Sequence, residues 1–193
     1  MPDDSNYFAL RCFSPSAKER VGLAYSDNPP PTTWLTGRPL KLGLESPLHY
    51  DWNALSEGGA RLAYYSTGPV LMRADLLAAL GRCGVDNLEV FPAVIHSPAG
   101  DPDCLDYSAV NIIGLVEALD TSRAVTAPTP NSGPLIDQDI LSLAIDEERA
   151  HGLPIFRLAE CVSAVLIHRR VAKFLEGEGG FGLTFQLPSE FSG

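Results

Sequence analysis

The residues best suited to chemistry are scattered along this sequence. Gly177 to Gly182 (GEGGFG) matches G-x-G-x-x-G. A phosphate-binding version needs a strand before it and a helix after it, so that the helix amides meet the pyrophosphate. Here the pattern reads helix first and strand second, so these glycines are expected to stop a helix and turn the chain. The histidines are His49, His96, His151 and His168, and no two stand at helical ligand spacing. One local cluster combines His96, Asp101, Asp103, Cys104 and Asp106. Its Asp-x-Asp pattern has the oxygen ligands a divalent cation takes. It lacks the glycine-centred loop and distal glutamate of a calcium hand, and a solvated acidic hairpin tip is the simpler reading. Neither G-x-S-x-G nor H-E-x-x-H occurs. Glu147 and Glu148 precede Arg149 and His151 in what reads as an exposed turn. Arg169, Arg170 and Lys173 form a basic cluster without interleaved aromatics, which points to local ion pairing and away from nucleic acid. The expectation is a protein that is not an enzyme, with no catalytic residues, cofactor or metal.

The elements that must position these groups show an internal repeat. Val70 to Pro92 (VLMRADLLAALGRCGVDNLEVFP) and Val165 to Pro188 (VLIHRRVAKFLEGEGGFGLTFQLP) both read as strand, helix, glycine turn and strand. At an offset of 95, Val70 falls on Val165, Leu76 on Val171, Leu80 on Leu175, Gly84 on Gly179 and Leu88 on Leu183. Leu76, Leu77, Leu80 and Cys83 mark one face of the first helix, and Val171, Phe174 and Leu175 mark that of the second. Gly84 suits the left-handed position just past a helix end. Strands are further expected at Tyr7 to Phe13, between Leu40 and Tyr50, at Arg61 to Tyr65 and at Tyr107 to Ile113, with Val116 to Leu119 continuing the last or turning. Ile140 to Ile145 and Ile155 to Leu158 read as a strand–turn–strand hairpin. Trp34, Tyr50 and Trp52 are expected to anchor the irregular region from Ser26 onward, where Pro29 to Pro31 form a rigid loop. Thr126 to Pro134 reads as a mobile loop. The fold class is therefore α+β, mostly antiparallel or mixed sheet, in a single domain whose residues 1–60 are less regular than its core from 61 to 193.

Length and charge narrow the options. The chain has 193 residues, 45% hydrophobic and 20% charged, as a soluble globular domain does. No apolar stretch approaches the roughly 20 residues of a membrane helix, and MPDDSNYFAL lacks the basic start of a signal peptide. A cytoplasmic protein without membrane contact is expected, and the dispersed Cys12, Cys83, Cys104 and Cys161 fit reduced thiols. Net charge is −10, and nine of those ten charges lie from Val70 onward. Such a field repels nucleic acid and steers basic partners.

Several features from Ala60 to Pro188 together resemble a family of bacterial immunity proteins first defined in myxobacteria. They are Tyr107 leading a strand that contains Asn111, the Leu119-Asp120 stop with Ser122, the run Ile155-Phe156-Arg157-Leu158, and the terminal strand–helix–glycine–strand. Members are encoded beside polymorphic or secretion-system toxins, which they bind and neutralise. The resemblance implies a cognate toxin encoded nearby as partner, and it brings no catalytic residues with it. The family often opens each helix with serine, whereas Arg73 and His168 stand in those slots here. Asp101, Asp103, Asp106, Glu147 and Glu148 are the toxin-binding candidates. A general protein-interaction module and a hydrolase with an unrecognised carboxylate site are the alternative functions.

Overall fold

The computed structural model describes residues 5–12, 21–23, 31–40, 44, 46–52, 61–66, 69–97, 102–127 and 138–191. In chain order its strands are β1 (Tyr7–Cys12), β2 (Val21–Leu23), β3 (Leu48–Trp52), β4 (Tyr64–Ser66), β5 (Val70–Arg73), β6 (Leu88–His96), β7 (Tyr107–Ile112), β8 (Leu115–Val116), β9 (Val125–Thr126), β10 (Ile140–Ser142), β11 (Ile155–Leu158), β12 (Cys161–His168) and β13 (Leu183–Gln186). The helices are α1 (Ala74–Arg82), α2 (Glu147–Ala150) and α3 (Arg169–Glu178). One sheet has the order β13-β1-β12-β11-β8 and the other β2-β3-β6-β7-β5-β4, while β9 and β10 form a separate ribbon. Pairing is antiparallel except β3 with β6 and β8 with β11. The class is α+β with mixed sheets.

The repeat is real and larger than the sequence shows. In the first unit β5 leads through α1 to β6, and β7 lies between the two strands, antiparallel to both. In the second, β12 leads through α3 to β13, and β1 lies between them in the same sense. Register agrees residue for residue: Arg73 faces Tyr107 as His168 faces Tyr7, and Leu88 faces Ile112 as Leu183 faces Cys12. The backbone bond from Arg73 to Ala63 (2.9 Å) is matched by that from His168 to Pro154 (2.9 Å). The Tyr107 hydroxyl donates to the Leu62 carbonyl at 2.6 Å, and the Tyr7 hydroxyl to that of Leu153 at 3.2 Å. The middle strand is thus the last of the first unit but is drawn from the start of the chain for the second.

Alternation along the strands sends side chains to two sides. Val70, Met72 and Val110 of one sheet and Val165, Ile167 and Leu10 of the other enter a shared central core, together with Leu76, Ala79 and Leu80 of α1 and Val171, Ala172 and Leu175 of α3. The intervening residues face outward layers. Leu71 and Ala109 pack with Trp34, Tyr50 and Ile95, whereas Leu166 and Ala164 pack with Phe156, Ile145 and Phe191. Both faces are covered at the central strands β5, β7, β11 and β12, which explains why β5 and β12 read as continuous apolar runs. Each fully buried Leu, Ile or Val contributes about 1.5–3 kcal/mol, so the shared core is the main force joining the units. Trp34 and Tyr50 are the buried anchors expected of the irregular region, and Trp52 packs edge-on against Tyr65 and Tyr107.

Two expectations change. Ile140–Ser142 pairs with β9, and β11 pairs with β12 and β8, so the two segments form no hairpin; a one-turn helix stands between them. Leu115–Val116 leaves the sheet of β7 and joins the other one. Cys83 is partly buried, its thiol donating to the Leu80 carbonyl at 3.2 Å, whereas Cys104 and Cys161 are buried; none of the four cysteines forms a disulfide. Residues 128–134 of the expected mobile loop and 26–30 of the proline loop lie outside the described residues.

The tyrosine bonds give a paired test. Tyr107→Phe removes a short, buried bond and is expected to cost about 1.5 kcal/mol by urea denaturation. Tyr7→Phe breaks a longer one and should cost about half as much. Equal costs would contradict the geometric ranking.

Candidate interaction surface

The acidic residues divide between equivalent corners of the two units, where a strand hands over to a helix. At the first corner the Asp106 carbonyl accepts the α1 amide of Ala74 at 2.8 Å; at the second the Asn6 carbonyl accepts the α3 amide of Arg169 at 2.7 Å. Asp106 is exposed and its carboxylate makes no ion pair among the described residues, and Leu105 beside it is 70% exposed. Asp103 lies on the same β6–β7 connection, 3.0 Å from His96 Nδ1. His96 Nε2 is in turn 2.9 Å from His49 Nδ1, and the two rings are nearly parallel. Asp101 lies outside the described residues. Cys104 does not join this group: it is buried, tied to Ile95 by two backbone bonds, and its sulfur accepts from Arg61 at 3.2 Å. Among the described residues no group of three or more His, Cys, Asp and Glu is arranged to hold a metal ion.

At the second corner Glu147 and Glu148 open α2. Glu147 is a structural tie, its two oxygens accepting the Asn6 backbone amide at 2.6 Å and the Asn6 side-chain amide at 2.7 Å. This fastens α2 to the residue before β1. Glu148 is exposed and carries no ion pair among the described residues. The structure therefore brings Asp103 and Asp106 together on one connection and leaves Glu148 available elsewhere, while Glu147 is already engaged. The partner groups Asn6 and His49 escape sequence reading because both contacts span long sequence separations.

The basic cluster is used differently from expectation. Arg169 donates from Nε to the Ser5 carbonyl at 3.0 Å, with a second bond from Nη2, and lies over the Phe8 ring. Its role is to hold the chain entering β1. The glycines at 179, 180 and 182 follow α3 and precede β13, all with positive φ, so they terminate a helix. Gly84 ends α1 with φ +80°.

The residues that carry the resemblance have structural roles, in packing or in turns. Asn111 is buried and bridges the Arg38 carbonyl and the Glu89 carboxylate, both at 2.9 Å. Glu89 also accepts the Leu40 amide at 2.8 Å, so this pair fastens the 31–40 segment to the sheet. Asp120 accepts the Ser122 amide and hydroxyl and the Arg123 guanidinium, which hold its carboxyl down at about 2. That is an Asx turn closing the tight bend after Leu119. Ile155 to Leu158 are all buried in β11.

The helix openings also differ from a serine cap. His168 Nδ1 accepts the Arg170 amide at 3.1 Å, whereas Arg73 makes no cap and pairs bidentately with Asp75 at 2.8 Å. The cap needs an unprotonated Nδ1. Burial lowers the His168 pKa from its ordinary 6.5, helped by Arg170 and Arg169 and opposed by Glu147. The unfolded chain therefore binds this proton more readily. The stabilisation is complete above pH 6.5 and is lost as pH falls through the lower folded value. His168→Asn keeps a cap acceptor without titrating. Urea midpoints at pH 7 and pH 5 should show the natural protein losing stability on acidification relative to this variant. Parallel losses would remove the role of His168.

No protein-family profile matches the chain, and no curated protein sequence matches it. No helix among the described residues is long and apolar enough to cross a membrane.

Proposed function

We propose that the protein is a cytoplasmic immunity protein that binds a cognate bacterial toxin, encoded nearby, and occludes its active site. The observation that carries this reading is the concentration of nine of ten net negative charges from Val70 onward, with the carboxylates of Asp106 and Glu148 exposed and without ion pairs to any described residue. A nuclease must attract a polyanion, so its active site is basic, and an acidic protein is both steered to it and able to cover it. Leu105, exposed between Asp103 and Asp106, supplies the apolar contact that charge alone does not give a stable interface. The resemblance from Ala60 to Pro188 supports the same reading, and the packing roles of its motif residues are consistent with a binding protein.

Co-expression with the product of the adjacent gene tests it. A complex should co-purify and the toxin should lose activity. Asp103→Asn with Asp106→Asn should slow association several-fold at low salt and little at high salt. Leu105→Asp should raise the dissociation rate. A neighbouring toxin that stays active and forms no complex would sink the proposal. A general interaction module is the second reading, favoured by Leu105, whose exposure suits any protein partner. A partner captured by this connection but unrelated to toxins would establish it.

A further inference from the structure

The two units differ at the ends of their helices. α1 closes with a Schellman turn: the Val85 amide donates to Leu80 at 3.0 Å and the Gly84 amide to Gly81 at 3.1 Å. The Val85 side chain is buried in the central core. In the second unit Gly180 occupies the place of Val85. Among the described residues, the one backbone bond closing α3 is Gly179 to Leu175 at 3.0 Å. Beside Gly180 lies an open depression of about 210 Å³, walled by Leu175, Phe181, Leu183 and Phe185. A methyl group on Gly180 would meet no atom within 4 Å.

The rim of this depression is negative. The last carbonyls of α3 carry the negative end of the helix dipole, and the Glu176 carbonyl accepts from no described residue a backbone bond of the kind that Gly81 accepts in α1. Glu176, an exposed residue, also lines the depression, and its carboxylate makes no ion pair with Lys173 one turn earlier or with any other described residue. Glu178 is neutralised by Arg82. An apolar wall under an anionic rim fits a long side chain that is apolar along its stem and cationic at its tip.

We propose that the depression at the end of α3 receives a lysine or arginine side chain of a protein partner. The methylene stem lies against Leu175, Phe181, Leu183 and Phe185, and the head meets Glu176 and the α3 carbonyls. A second copy of this chain, itself at −10, is electrostatically disfavoured as the occupant. The inference deepens the toxin-binding reading by naming the group a basic partner presents, and it rests on that reading only for the partner's identity.

The test uses NMR titration of the full chain with Nα-acetyl-arginine methylamide and Nα-acetyl-lysine methylamide, with the norleucine derivative as uncharged control. The amides of residues 179–183 should shift with dissociation constants of about 10 mM for a cationic probe. Glu176→Gln should weaken binding about threefold. Leu183→Trp, which fills the depression, should abolish it, with unchanged spectral dispersion showing the fold intact. The proposal is overturned if norleucine binds as well as arginine, if no shift appears by about 50 mM, or if the shifts survive Leu183→Trp. It is also overturned if the same amides move with protein concentration alone, because the occupant is then a second copy. Probes that bind while no toxin co-purifies leave the pocket standing and remove the toxin reading. A toxin that binds while the probes do not removes the pocket alone.

Discussion

Gly37→Ala is expected to lose about 3 kcal/mol or more of folding free energy, read as a lowered urea midpoint at unchanged slope. Gly37 has φ +64°, and a β-carbon there would stand 2.7 Å from the Gly114 carbonyl carbon and closer still to the Leu115 amide nitrogen. The left-handed conformation alone costs an alanine about 1–2 kcal/mol. The remainder comes from backbone that must move, because no flexible side chain is available to yield. That movement also strains the 2.9 Å bond from the Gly114 amide to the Gly37 carbonyl, which holds the 31–40 segment at the joint between β7 and β8. Gly84 is the control. Its φ is +80°, but a β-carbon there meets nothing within 4 Å, so Gly84→Ala should cost only the conformational part, about 1 kcal/mol. Equal losses at the two positions would refute the close approach at Gly37.

Arg157→Met is expected to hold or raise stability, by about 1–3 kcal/mol. Arg157 is 2% exposed in β11 and donates from Nη1 to the Val162 carbonyl at 2.9 Å, while its Nε has no partner. No carboxylate among the described residues forms an ion pair with it. Burial lowers its pKa, and the Tyr64 phenol offers only partial compensation. Methionine fills similar space without a charge to desolvate. A loss above about 2 kcal/mol would mean that the guanidinium is a net structural tie through its bond to Val162.

These two residues mark where sequence reading stops. The helices α1 and α3 and the strands β5 and β12 are visible because their apolar spacing is local, at Leu76 and Leu80 or Val171 and Leu175. The equivalence of β1 with β7 is not, since YFALRC and YSAVNI share only the leading tyrosine and the alanine two residues on, and occupy different places in the chain order. Strands of two residues such as β8 exist only through the partner they meet. In the 140–145 segment Ile140, Leu143 and Ile145 are buried while Leu141 is exposed, a spacing that fits neither simple period. Gly37 carries no signal because its constraint is the Leu115 backbone, far away in sequence. At the candidate surface the acidic residues are readable from composition. Their freedom is not, because Glu147 is occupied by Asn6 and Asp103 by His96.

The borrowed middle strand of the second unit has a consequence for how the chain folds during synthesis. The first unit, from β4 through β7, is continuous and can assemble as it leaves the ribosome. β1 emerges before all of it, yet its partners β12 and β13 are among the last segments made. Until then β1 offers both edges unpaired, along with the apolar face that carries Leu10. Closing that loop last is slow, because distant pairing must overcome the entropy of the intervening chain. Aggregation during expression is therefore expected to respond chiefly to changes in β1.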